Sequence, residues 1–519
     1  MTPAALARWV LAALLALCAL LPAGYLLVTA LPILLQGGWL LHFASTTLPG
    51  QALTSIGVAL EASAVAFAVG ALPAVLVSKF DFSGRRLVTV LSLLPLLLAP
   101  AVTVSTWVGV FSASFFEGRH ALAIQLGLAG SPYLFIVFRV AGSRMPNSFA
   151  ELAAGLGLGF GQRLRRVHLP AYAVPVAAGL LIVWAQTLGD YAAADRLGIQ
   201  TLSLAIHNFW FASQSAAVAA IVACVLIVPA LAGVVVAAWA STRVINQNPV
   251  PPASAAASRK PLRPLAANGL LAWTTACALA SFGVPEALTL RWAAMTWQRT
   301  RFAAIPGDAL NSALTALATV ALVLALCGLT ALLMRSGARS RSAERVPWLF
   351  LANYFLPSLV LALAFVMMSR DGSVGAALLG PLRDSRLLIV LAETLRYLPL
   401  AMLPMLDALR RTPPALIEAA RALGAGPVRA RAVAFAGHLG PALLLGGALV
   451  FIEAVKELDL SLTLQPFGYS SLALKIYAFS RHQNMDRAAA WVLISQALML
   501  GPWLLLVWRL DRLGARRPT

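Results

Sequence analysis

The chain has 519 residues, 60% of them hydrophobic and 11% charged, with a mean hydropathy of +0.83. Soluble domains carry about 45–50% apolar and about 25% charged residues, so a soluble globular fold is excluded. Lys and Arg outnumber Asp and Glu by 39 to 19, a net +20; in a soluble chain that balance points to nucleic acid, and here it has first to be set against membrane topology.

In chain order, the first feature is Arg8 followed by an apolar run that continues to about Leu35. It lacks a clear small-residue cleavage site and exceeds the length of a signal-peptide core, so it is expected to remain as an uncleaved first span. A bilayer core of about 30 Å takes about 20 apolar helical residues. That ruler predicts twelve spans, near 7–34, 53–78, 87–111, 120–141, 174–194, 213–240, 266–286, 309–334, 346–369, 386–408, 440–465 and 488–509. The fold class implied is an all-α polytopic membrane protein. With the N-terminus in the cytoplasm, 25 of the 39 Lys and Arg fall on inside loops, 10 on outside loops and 4 within spans. This is the positive-inside asymmetry, and it predicts both termini inside.

Residues 241–264, STRVINQNPVPPASAAASRKPLRP, are polar and rich in Pro, Ala and Ser. They read as a cytoplasmic linker between a first six-span half, 1–240, and a second, 265–519. The halves are self-similar, the signature of an internal repeat. An offset of 267 aligns Pro132 with Pro399, Pro146 with Pro413, Glu151 with Glu418, Gly157 with Gly424 and Asp190 with Glu457. Earlier in each half an offset of 257 pairs Ser55 with Ser312 and Pro100 with Pro357, and later an offset of 270 pairs TLSLAI at 201–206 with SLALKI at 471–476. The ten-residue change falls in an outside loop, where insertions are cheap. Six spans per half give both copies one orientation, so a parallel repeat is expected.

Two inside loops, 145–172 and 410–441, are longer than the rest and occupy equivalent places. Each opens with a helix-forming stretch, 150–156 or 416–423, followed by glycines (Gly155, Gly157, Gly159 and Gly161; Gly424 and Gly426) and a basic stretch. Short helices joined by glycine and held between two spans make a rigid knob suited to a groove on a partner protein. A helix lying on lipid headgroups is the competing reading.

Glu418-Ala419-Ala420 followed by Gly424, and Glu151 with Ala153-Ala154, Gly157 and Leu169-Pro170, resemble the EAA loop of ABC-importer permeases. The first copy carries Leu152 in place of the first alanine, and the second has Ala436-Gly437 where Leu-Pro is usual. The resemblance implies that both loops couple to ATPase subunits. A second stretch, VKELDLSLTLQPFGYSSLALKIY at 455–477, is similar to a segment of fused permeases in ferric-iron importers, with Asp459 at a position usually held by Pro. TLGDYAAADRLG at 187–198 looks like its counterpart in the first half. The fused arrangement also resembles thiamine-importer permeases. The family implies a bacterial inner-membrane subunit that works with two copies of an ABC ATPase and a periplasmic solute-binding protein, passing a small-molecule or metal-ion solute.

The chain has four lysines, Lys79, Lys260, Lys456 and Lys475, and none follows a glycine. It therefore lacks the Gly-Lys-[Ser/Thr] phosphate loop of an ATPase, and hydrolysis is expected on separate chains. Cys18, Cys224, Cys277 and Cys327 stand singly and the six His are dispersed, so no metal site is expected; nor is a cofactor or a nucleic-acid partner.

A charge at mid-bilayer costs about 2.5–3.5 kcal/mol on insertion scales and therefore faces a protein interior or a cavity. Glu453, Lys456, Glu457 and Asp459 cluster in the eleventh span, with Asp190 at the matching place in the fifth. Two readings stand open. These residues line a translocation path near its outer end, where the acidic pair Asp190 and Glu457 suits a cationic solute; or they brace helices, as the i,i+3 pairs Glu453–Lys456 and Glu393–Arg396 can. Arg139 and Arg396 read equally as near-interface anchors. The outer segments 199–210 and 468–480, with Phe209, Trp210, Phe467, Tyr469 and Tyr477, read as an outside gate or docking rim, or as an interfacial aromatic belt. The rival class is an ion-gradient-driven secondary transporter with two six-span halves, which would need no paired glycine-bearing knobs.

Overall fold

The computed structural model describes residues 17–18, 20–32, 35, 45–110, 118–144, 155, 157–163, 169–213, 220–227, 232, 235, 239, 259–300, 302–334, 354, 356–370, 372–373, 375–412 and 414–512. The expectations for Glu151, Ala153, Ala154 and linker residues 241–258 lie outside these, as do parts of the spans predicted near 7–34, 213–240 and 346–369.

The described chain is helical apart from one two-residue strand pair. The first half contributes α1 (Leu48–Ala66), α2 (Leu72–Lys79), α3 (Arg85–Leu93), α4 (Pro100–Val110), α5 (Arg119–Arg144), α6 (Leu169–Gly189), α7 (Ala192–Leu197) and α8 (Leu202–Ser213). The second contributes α9 (Pro264–Ala278), α10 (Val284–Thr296), α11 (Ile305–Met334), α12 (Ser358–Met368), α13 (Arg386–Arg411), α14 (Pro414–Ala422), α15 (Pro427–Lys456), α16 (Asp459–Leu464), α17 (Leu472–Arg481) and α18 (Met485–Arg512). Among the described residues, seven continuous helical stretches are long and apolar enough to cross a membrane, or eight if one bent pair counts as a span.

Proline explains the departures from straight helix. A π turn, Phe67–Ala71, joins α1 to α2, and another, Leu279–Gly283, joins α9 to α10. Each is followed two residues later by a proline, Pro73 or Pro285, which has no N–H to donate; the wider turn absorbs the missing ladder bond without ending the helix. Between Pro95 and Pro100 the helix breaks outright. The stretch predicted as one span at 87–111 is two helices, Arg85–Leu97 and Pro100–Val110, bent by 89°, because Pro95 and Pro100 flank an extended Leu98.

A single core spans both halves. Leu93, Phe135 and Val183 from the first pack in one cluster with Leu398, Met405, Val450 and Ile452 from the second. The last helix reaches back to the first half through Trp503 Nε1, which donates to the Leu93 carbonyl at 2.8 Å. On the outer faces, Leu53, Leu60, Leu265, Leu290 and Leu310 are more than half exposed, an arrangement that suits lipid and would be an aggregation liability in water. Small residues set the closest helix contacts. A methyl group added at Gly179 would run into the Leu134 side chain, and one added at Gly446 into the Ala401 backbone.

Polar contacts sort the loops onto two ends. At one end β1 (Phe80–Asp81) runs parallel to β2 (Lys260–Pro261), and Asp511 at the end of α18 lies 3.6 Å from Arg85 and 3.0 Å from Arg86. At the other, Trp491 Nε1 donates to Asp308 at 2.8 Å, Thr296 Oγ1 to the Asp486 carbonyl at 3.0 Å, and the Tyr477 hydroxyl to Asp195 at 3.1 Å. The first group holds segments expected inside, the second segments expected outside.

Element bounds recur at fixed spacings. α5 and α13 begin and end 267 residues apart, as do α7 and α16, and the last residues of α6 and α15. α1 and α11 begin 257 apart. Contacts recur with them: the Leu202 amide donates to Ser55 Oγ at 2.8 Å, and the Leu472 amide to Ser312 Oγ at 2.9 Å.

Candidate functional site

Four interruptions of the helices meet at one place. They are Leu98–Ala99 before α4, Leu356–Pro357 before α12, Asp190 between α6 and α7, and Glu457–Leu458 between α15 and α16. Non-helical backbone at membrane depth is tolerated where it is enclosed by protein or borders a cavity. Here residues in or beside all four interruptions line a single cavity of about 130 Å³, room for several water molecules. Both halves contribute walls: Gly130, Tyr133 and Gln186 from the first, Tyr354, Ser358, Arg396 and Tyr397 from the second.

The cavity also gathers Asp190, Glu453, Lys456, Glu457 and Asp459, the five ionisable residues singled out in the sequence. Two of them sit where a helix restarts. Asp190 Oδ1 accepts from the Ala193 amide at 2.8 Å, and Glu457 Oε1 from the Leu460 amide at 3.1 Å. Each carboxylate thus occupies orphan donors at the first turn of a short helix, where the helix dipole also favours negative charge.

Glu453 is held from three directions. It accepts from the Tyr133 hydroxyl, from Gln186 Nε2 at 3.4 Å, and pairs with Lys456 Nζ at 2.7 Å. Tyr133 and Gln186 belong to the first half, so this carboxylate joins the halves; Gln186 and Glu453 are themselves 267 residues apart. Glu457 accepts from the Tyr397 hydroxyl and lies 3.9 Å from Arg396 Nε. Arg396 is clamped further by its Nη1 bond to the Leu356 carbonyl at 2.6 Å and by the rings of Tyr354 and Tyr397 at 6.0 and 5.8 Å. Asp459 is buried, lines the cavity, and its carboxylate has no hydrogen-bond or ion-pair partner among the described residues.

One sequence expectation is corrected. Glu393 and Arg396 do not pair: Glu393 accepts from Thr319 Oγ1 at 2.7 Å, while Arg396 turns to Glu457. Their i,i+3 spacing permits contact, but each finds a better-placed partner on a neighbouring helix. Arg139 and Arg396, read as near-interface anchors, are both buried, and Arg139 Nη1 lies 3.4 Å from Ser78 Oγ. Sequence reasoning missed Tyr133, Gln186, Tyr354 and Tyr397. A signal was present for two of them, because Tyr133 adjoins Pro132 and Tyr397 lies two residues before Pro399, prolines that stand 267 residues apart.

Beside the cavity an aromatic cluster crosses between the halves. Tyr191, which follows Asp190, stacks on His207 at 4.6 Å and meets Tyr477 edge-on at 5.7 Å. His207 is buried, and that burial holds its imidazole below the ordinary range. Within the outer segments only part of the aromatic set faces out: Phe467 is fully exposed, whereas Tyr477 is buried.

On the other end, α14 carries the second EAA-like sequence. Glu418 and Ala419 are exposed, Ala420 is half-buried, and Leu423 is 89% exposed. Gly424 follows with φ +84°, and Gly157 in the first loop has φ +74°; both turns use a left-handed conformation that favours glycine. Leu169 and Pro170 begin α6.

Residues 64–246 match the family described as binding-protein-dependent transport system inner membrane component. The chain is 21% identical over 446 residues to the Fe(3+)-transport system permease protein FbpB 2 of Haemophilus influenzae, covering 83% of this chain and 84% of that one. It is 30% identical over 129 residues to the 2-aminoethylphosphonate transport system permease protein PhnU of Salmonella typhimurium, covering 25% of this chain. That second match spans 45% of PhnU, less than half its length.

Proposed function

We propose that this multi-pass inner-membrane chain, which carries a binding-protein-dependent transport permease domain and resembles ferric-iron importer permeases, is the fused permease subunit of an ATP-driven importer. The observation that carries the reading is the cavity between the halves, walled by broken helices and lined by buried charge. Helix breaks around a midplane site are the device by which transporters present backbone and charge to a solute.

In this reading the chain is two parallel six-span repeats, 1–240 and 265–519, joined by the linker 241–264, with both termini in the cytoplasm. The recurring element bounds and the paired Ser55 and Ser312 contacts support the repeat, and the two groups of loop contacts support the sidedness. A periplasmic protein delivers a small solute, and two ATPase copies bind at the loops 145–172 and 410–441. Coupling runs through Glu151, Ala153, Ala154, Gly157, Leu169 and Pro170 in the first loop and Glu418, Ala419, Ala420 and Gly424 in the second. The solute is cationic. Lys456 and Arg396 are matched to Glu453 and Glu457, which leaves the carboxyl groups of Asp190 and Asp459 without an ion-pair partner among the described residues.

The test is uptake of radiolabelled Fe(III), thiamine and 2-aminoethylphosphonate in cells with and without the partner ATPase genes. Loss of uptake without the ATPase is expected. Uptake that persists there and collapses with a protonophore would overturn the reading in favour of gradient-driven transport.

A further inference from the structure

The two cations of the cavity are held very differently. Arg396 has a backbone carbonyl, a carboxylate and two aromatic rings around it, and its planar fork is fixed by them. Lys456 has one partner among the described residues, Glu453, on a flexible four-carbon stem. It sits at the last residue of α15, where the carbonyl end of a helix favours positive charge. Its equivalent in the first half is Gly189, and a methyl group there would already lie 3.5 Å from the Arg396 guanidinium.

Lys456 also borders a second, smaller cavity of about 40 Å³, walled by Leu98, Ala101, Val455, Ile476, Ser480 and Ser495. Lys456 thus lines both cavities: its ammonium lies against Glu453, and a rotation of its stem would turn it toward Ser480 and Ser495 of the side cavity. Glu453 would not be orphaned by the withdrawal, because Tyr133 and Gln186 still donate to it. Asp459 is a buried carboxylate lining the main cavity with no hydrogen-bond or ion-pair partner among the described residues, so a positive charge arriving there finds an unused acceptor in the same cavity as the one that Lys456 vacates.

From this geometry we propose that Lys456 is a tethered counter-cation that keeps the empty cavity occupied and is displaced into the side cavity by the cationic solute, which then lies between Glu453 and Asp459. This rests on the permease reading above. Lys456 thereby sets a threshold: a solute enters only if it binds the carboxylates better than the resident ammonium does.

The experiment uses the full chain in native membranes, with the four native cysteines replaced by serine and Ser358→Cys placed in the cavity wall. The probes are a trimethylammonium methanethiosulfonate and its anionic sulfonate analogue, and the readout is the ratio of their labelling rates. Ser495→Leu fills the side cavity while leaving the charge of Lys456 unchanged. It is expected to lower the cation-to-anion ratio about tenfold, because a trapped ammonium repels the cationic probe. In a Lys456→Met background the same plug is expected to do nothing. An equal effect of Ser495→Leu with and without Lys456 overturns the proposal and leaves the permease reading standing. A cysteine labelled by neither probe in any background overturns both, since the cavity is then not on a path. Ser495→Val, a smaller plug, serves if the Leu variant fails to accumulate.

Discussion

The ion pair between Arg396 and Glu457 permits a quantitative test of how the cavity is held open. At 3.9 Å and an effective dielectric of about 20, two unit charges attract by about 4 kcal/mol. Both side chains are almost entirely removed from solvent, at 7% and 6% exposure, so desolvation cancels much of that attraction. Arg396→Met leaves the Glu457 carboxylate with the Tyr397 hydroxyl and the Leu460 amide but no countercharge, and it frees the Leu356 carbonyl at the helix break. Breaking a buried pair from one side costs about 3–5 kcal/mol, and that is the expected loss of stability. Glu457→Gln alone is expected to cost a similar amount, and the double variant less than the two together by about 1–3 kcal/mol. The assay is equilibrium unfolding in mixed micelles by titration with sodium dodecyl sulfate, run as a double-mutant cycle. Additivity to within about 0.5 kcal/mol would refute the reasoning, showing that the two groups are neighbours without being energetically coupled.

Gly446→Val, at the close approach to the Ala401 backbone, is expected to destabilise the chain by about 1–3 kcal/mol through overpacking. Gly179→Ala, which meets only the flexible Leu134 side chain, should cost less; the same unfolding titration compares them. His207 is held neutral by burial, so its imidazole lies below its unfolded value. Its contribution to stability is then complete above the unfolded value of about 6.5 and falls away as pH drops through the folded one. Melting temperatures measured from pH 8 down to about pH 5 should fall less for His207→Gln than for the parent chain. A combined charge reversal, Glu151→Lys with Glu418→Lys, should abolish co-purification of the ATPase while leaving membrane insertion intact. Leu423→Asp, at an 89% exposed position, should weaken that co-purification without lowering the melting temperature of the chain alone.

Much of the architecture was legible because it depends on short-range physics. Hydropathy over about 20 residues answers to the thickness of a bilayer. The offset of 267 was readable at Pro132 and Pro399 because a proline changes the helix wherever it falls. The same offset reappears in three dimensions as Gln186 bonded to Glu453. Buried charge was legible as well, since a carboxylate in an apolar run has to be explained by its surroundings; Asp190, Glu453, Lys456, Glu457 and Asp459 were found that way.

What the linear chain could not supply was pairing. Glu393 and Arg396 have the spacing of partners and yet face different helices, because helix–helix packing, which no local pattern encodes, decides which side of α13 meets α11 and which meets the cavity. The tyrosines that bond Glu453 and Glu457 carry no periodic or charge signal that separates them from other aromatic residues of a span. The sequence by itself determined that this is a helical membrane protein with a few expensive charges inside it. Only the tertiary structure decided that the helix breaks of both halves converge on one cavity, and that one of its cations is clamped while the other is held by a single bond. Spans are set by the solvent around a helix, whereas a site is set by its neighbours.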